Sequence, residues 1–132
     1  IAKGIRQLGQ GDVIEASEKN DSLAKIAEGF QYHLKVAQER GLRLVAYEGG
    51  QHLVSPNNEK LTDFFIRLNR SPEMYGLYSQ LLEAWKNSGG TLFMHYAAIG
   101  RPSKWGSWGA LETVEQTHSP KYDALIDFVD RT

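Results

Sequence analysis

The stretch Tyr47-Glu48-Gly49-Gly50-Gln51-His52 joins a carboxylate, two glycines and polar groups at the end of the apolar run Leu42–Tyr47. A buried parallel strand presents a reactive side chain at its carboxyl end in this way, because the run is covered and its last residue reaches open space. A carboxylate so placed can act as a nucleophile on an anomeric carbon. Glycosidases that retain configuration use two carboxylates about 5–5.5 Å apart, one as nucleophile and one as general acid. On a regular strand Ala46 and Glu48 share one face, and Val45 and Tyr47 share the other. Val45 and Tyr47 are then expected to pack on helices while Glu48 faces a mouth. The paired glycines let a substrate or a loop come close. The plainer alternative has Glu48 capping a helix or pairing with Arg43 or Arg101.

Aromatic residues form the second group. Trp105 and Trp108 flank Gly106-Ser107 in a glycine-rich stretch where a core is not expected. Aromatic faces outside the core serve ligands or partners. A tryptophan face stacks on the C–H face of a pyranose; the alternative is that the pair closes a loop core. Trp85 lies on a helical apolar stripe and is expected in the core. His95 falls within a second strand, where its imidazole could bond a sugar hydroxyl or orient Glu48, or be a satisfied histidine beside the core. His52 follows Glu48 and could line a site or stand in solvent. The four histidines lack metal-ligand spacing. No phosphate-binding loop and no Gly-x-Ser-x-Gly elbow is present.

These residues need elements to hold them. Apolar residues at Leu23, Ile26, Ala27, Phe30, Leu34 and Ala37 predict a helix over 22–40 with one buried face, capped by Asp21 or Asn20 and ended by Gly41. Leu42–Tyr47 reads as a strand. Glu59–Asn69 reads as a helix, and Ser71-Pro72-Glu73 opens another that runs to about Asn87. Thr91–Tyr96 is a second strand, and Ala97–His118 a long loop. Ser119-Pro120 starts a final helix through Asp130, with Tyr122, Leu125, Ile126 and Val129 expected to be buried. Ile1–Leu8 reads as the remnant of a preceding element, and Asp12–Glu15 as a strand end or an irregular turn. The alternation predicts α/β architecture, parallel strands joined by helical crossovers. Two strands do not make an independent sheet of ordinary width. The 132 residues are therefore expected to be a single domain forming the carboxyl-terminal portion of something larger, and open strand edges suggest a homodimer.

Composition narrows the classes. A charged fraction of 23% and a net charge of −1, with no basic stripe, favour neither nucleic acid nor an anionic membrane surface. No apolar run approaches the roughly 20 residues of a membrane span. The absence of cysteine excludes disulfides and thiolate metal sites and leaves the compartment undetermined.

The segment Ala-Tyr-Glu-Gly-Gly-Gln-His, residues 46–52, resembles the seventh-strand nucleophile region of (β/α)8-barrel glycoside hydrolases of the large retaining clan. Phe-Met-His-Tyr at 93–96 followed by Trp-Gly-Ser-Trp-Gly at 105–109 is similar to that clan's eighth strand and aromatic loop. The resemblance covers about residues 22–131. It implies a partial (β/α)8, TIM-barrel-like fold, with Glu48 as nucleophile and Trp105 or Trp108 as sugar platform. The residue carry-over stops there; beside it, the chain's own residues His52, His95 and Tyr96 are expected as supporting contacts to a carbohydrate ligand, with no cofactor or metal required. The clan's general acid, a Glu at the end of strand four, has no counterpart here, and two tryptophans compete where the clan has one. The rival expectation is a carbohydrate-binding or structural domain without catalysis, using the Trp105/Trp108 loop.

Overall fold

The computed structural model describes residues 1–13 and 22–131. In chain order the elements are α1 (Ala2–Gln10), α2 (Leu23–Gln38), β1 (Val45–Gly49), α3 (Glu59–Arg70), α4 (Met74–Asn87), β2 (Leu92–His95) and α5 (Pro120–Asp130). β1 and β2 pair in parallel, with α3 and α4 as the crossover. The α/β alternation is therefore present, but the barrel is not. Among the described residues there are two strands and five helices, forming a small α/β fold. The TIM-barrel expectation is corrected on this point: only two segments carry strand character, and closure needs about eight. The amino-terminal segment, expected as a remnant, folds as helix α1 and ends at Gly11 with φ 73°.

The core is built around α4. Met74, Leu77, Tyr78, Leu81, Leu82 and Trp85 recur at helical spacing and are all buried. Leu68 of α3 and Ala124 of α5 close on the same cluster. Trp85 meets Phe30 edge-on at 5.2 Å and Phe93 at 6.0 Å, so one indole joins α2, α4 and β2. Gly90 lies so close beneath that indole that a Cβ would collide with it.

Other helices depart from the expected pattern. No described residue of α2 is fully buried, and Ile26 is 40% exposed. Its cap is Ser22, which accepts from the Lys25 N–H; Asn20 and Asp21 lie outside the described residues, as does Glu15. Asp12 is held by a two-oxygen bond to the Arg6 guanidinium. Ser71 does not cap α4: its hydroxyl is buried without a partner, and its carbonyl accepts from the Met74 N–H. In α5 the buried residues are Lys121 and Ala124, while Ile126 and Val129 are exposed. Apolar residues lie on more than one side of α5, and the side that joins the α4 core is the one with Ala124, while Lys121 reaches the Ser107 carbonyl.

Candidate functional site

β1 delivers Glu48 by an irregular route. Val45 pairs with Leu92 and Ala46 with Phe93, but the next pairing is Gly49 with His95. Three steps on β1 thus match two on β2, which is a β-bulge. Strict alternation fails there: Tyr47 and Glu48 are both exposed, and Gly49 turns inward. A Cβ at Gly49 would collide with the Phe93 ring, so glycine is what lets the strand turn in at that point. The expected packing of Val45 and Tyr47 on helices is overturned, since they are 47% and 80% exposed. Ala46 and Phe93 face the helices instead. Glu48 carries no ion pair or hydrogen bond among the described residues, so Arg43 and Arg101 do not hold it.

Beyond the strand the chain forms a cleft of about 370 Å³, lined by Glu48, Gly49, Gly50, Gln51, His52, Tyr96 and Trp108. Trp108 is its central wall. The His52 ring stands 5.1 Å away at a tilt of 39°, and Tyr96 meets it edge-on at 6.1 Å. The Tyr96–Ala97 peptide bond is cis. Gly106 has φ 132°, and a side chain there would run into the Trp108 indole. Of the two candidate platforms, Trp108 shares the cleft with Glu48. Trp105 does not line it; it is 64% exposed, with the Lys104 ammonium 4.8 Å from its ring centre.

His95 lies behind the cleft, not in its lining. Its Nε2 is 3.0 Å from the Tyr78 hydroxyl, which also accepts from the Gln51 N–H at 3.3 Å. The arrangement that leaves fewest groups unpaired has Tyr78 donating to Nε2, with the imidazole proton on Nδ1, an atom buried without a partner. Burial holds His95 in its neutral form, bringing its pKa down to about 4; the Lys121 charge acts in the same direction, and the Ala97 backbone opposes it. Burial likewise pushes the Tyr78 hydroxyl up to about 12. His95 is thus a neutral spacer between α4 and β2, placed to support Gly50 from below. A Cβ on Gly50, at φ 138°, would sit 3.2 Å from Nε2 and 3.3 Å from the Tyr78 oxygen.

The wall that carries Trp108 is fixed from two directions. The Ser107 carbonyl accepts from Gln51 Nε2 at 2.8 Å and from Lys121 Nζ at 2.6 Å. Gln51 is itself oriented, since its Oε1 accepts from the Leu53 N–H at 2.8 Å. Lys121 is 5% exposed, and burial brings its pKa down to about 8, with Glu112 opposing the shift. Sequence reasoning missed Gln51, Tyr78 and Lys121. Tyr78 shares the α4 face with Leu81, Leu82 and Trp85, where a hydroxyl needs a partner. Lys121 shares the α5 face with Ala124 and Leu125, a helical spacing that could have marked it as inward. Gln51 left no comparable signal.

Among the described residues no group of three or more His, Asp or Glu is placed to hold a metal ion, and no helix is long and apolar enough to cross a membrane. No family model, no curated protein and no solved structure matches the chain.

Proposed function

We propose that the cleft binds a sugar ring against Trp108, and that Glu48 is the nucleophilic carboxylate of a retaining glycoside hydrolysis. The observation that carries this reading is the meeting of an unpaired, exposed carboxylate with an indole in one cleft. The indole offers its face to the ring's C–H groups, while His52 and Tyr96 bound the space beside it and supply polar edges. A carboxylate oxygen would attack the anomeric carbon as the bond to the leaving oxygen breaks, and the electron pair departs with that oxygen. Glu48 is the one carboxylate among the described residues lining the cleft, so the acid that protonates an ordinary leaving group would be contributed from outside that lining.

That single carboxylate favours a second reading, carbohydrate binding without catalysis, in which Glu48 accepts hydrogen bonds from sugar hydroxyls. The two separate with a fluorosugar bearing a dinitrophenyl leaving group, which departs without an acid. A nucleophilic Glu48 forms a glycosyl ester found by peptide mass spectrometry on residue 48, and Glu48→Gln abolishes it. If no ester forms while sugar affinity is lost on Trp108→Ala and kept within a few-fold on Glu48→Gln, the protein binds and does not cleave.

A further inference from the structure

Next to the Glu48 cleft lies a second cavity of about 470 Å³, between α1, α2 and α4. Gly50, Gln51 and His52 line both, so the two spaces share one wall. The rest of the second cavity is apolar: Leu8 of α1, Leu23 and Ile26 of α2, Leu53 after the shared wall, and Leu77 and Leu81 of α4. Two of these residues belong to α2. That helix has the regular apolar stripe of a core element, yet none of its described residues is fully buried. Farther along, Phe30 reaches Trp85 and Leu34 lies against Gly89. At the amino-terminal end Leu23 packs against the α4 core and also borders the cavity, which Ile26 lines while remaining 40% exposed.

Of the polar side chains at the cavity, those of Tyr78 and Gln51 are already engaged, and the His52 ring is packed at Trp108 on the side of the Glu48 cleft. The Tyr78 hydroxyl is spent on Gln51 and His95, and the Gln51 amide on Ser107 and Leu53. A cavity lined this way offers an entering group apolar surface and few hydrogen bonds, whereas its neighbour offers a carboxylate, an imidazole and an indole face. Ligand sites are commonly cavities of roughly 300–1,000 Å³, largely apolar with a few convergent polar groups. We infer that the ligand is an amphiphilic glycoside: its sugar occupies the Glu48 cleft, and its apolar aglycone crosses beside Gly50–His52 into the cavity between α1, α2 and α4. This rests on the carbohydrate reading of the cleft.

The experiment compares three probes on the whole chain by calorimetry: n-octyl glycosides of common hexoses and pentoses below their micellar concentrations, the matching methyl glycosides, and 1-octanol. At least one octyl glycoside is expected to bind about tenfold or more tighter than both its methyl counterpart and octanol, since burying each methylene adds to affinity. Ile26→Glu places a charge at a partly exposed position of the lining and is expected to reduce the octyl glycoside to methyl-glycoside affinity; Ile26→Thr, a milder change, should remove part of the gain. Trp108→Ala should remove the sugar's share. An octyl glycoside no tighter than the methyl form, or a gain indifferent to both Ile26 variants, overturns the aglycone site while leaving the sugar site standing. An octyl glycoside that binds only as well as octanol and ignores Trp108→Ala overturns the inference by way of the sugar reading. No binding by any probe overturns both.

Discussion

Behind the β1–β2 pair, Trp85 and Tyr78 of α4 close over Phe93 and His95, whereas in front Val45, Tyr47, Leu92 and Met94 stand 47%, 80%, 52% and 53% exposed. The two faces belong to the same nine strand residues. On the rear face Phe93 and His95 each have a ring of α4 against them, and behind them a chain of bonds runs from Tyr78 through Gln51 and Ser107 to Lys121. On the front face Glu48 and Tyr47 have no such partner. Order is supplied to the cleft from behind, and the side that carries Glu48 is left uncovered. The proposed chemistry would use that combination, a backbone held in place and an open side from which a sugar could arrive.

The largest test of this contrast is a pair of truncations. Trp85→Ala should cost about 3–5 kcal/mol of stability, the range for emptying a packed aromatic site, while Tyr47→Ala should change it by less than about 0.5 kcal/mol. Urea unfolding measures both, and comparable losses would erase the distinction between the faces. Next comes the titration of Lys121. Its folded pKa of about 8 lies below the ordinary 10.5, so the unfolded chain binds a proton more readily between those values. Stability is therefore expected to rise as pH climbs from about 8 to 10.5, by up to roughly 3 kcal/mol, and Lys121→Met should flatten that rise. Unfolding free energies measured at about pH 7.5, 9 and 10.5 check it, and a slope unchanged in the variant would show that Lys121 is not the group responsible. The smallest effect is expected at the surface. The Arg70–Glu112 pair bonds at 2.7 and 2.8 Å but is 56% and 30% exposed, so Arg70→Met should cost no more than about 1 kcal/mol, less in high salt. A larger, salt-insensitive loss would place this corner with the rear core.

Much of this architecture was legible in the residues. Strict helical spacing marked α4, and its stripe from Met74 to Trp85 is buried as expected, Trp85 included. Both strands, the glycine at position 41 with φ 63°, and the Ser119 cap on α5 followed from local rules, the last through a hydroxyl that accepts from the Tyr122 N–H at 3.0 Å. The barrel was not legible as an error, because a parallel βαβ unit looks locally alike whether two strands or eight follow the same plan. The faces of β1 were misassigned for a definite reason. Alternation itself holds from Val45 to Tyr47, but which of its two faces the helices cover is a tertiary fact that β1 alone does not encode; the extra residue between Ala46 and Gly49 then turns Glu48 out on the open side with Tyr47. Glu48, His52, Tyr96 and Trp108 were read as neighbours and do line one cleft; His95 and Trp105 were read with them and lie behind it and outside it. Distinguishing Trp108 from Trp105 required the rings of His52 and Tyr96, residues about fifty-six and twelve positions upstream in the chain (the reach of tertiary contact, not of helix or strand spacing).

The Ser107 carbonyl receives one donor from the segment after β1 and one from the start of α5. With two donors on one oxygen it works as a pin through three parts of the chain, one residue before the indole that lines the cleft. On the other side of the cleft the two rings that meet Trp108 are more open, His52 being exposed and Tyr96 50% exposed. The cleft is thus an asymmetric clamp, with one wall braced by two distant parts of the chain and the other standing largely in solvent.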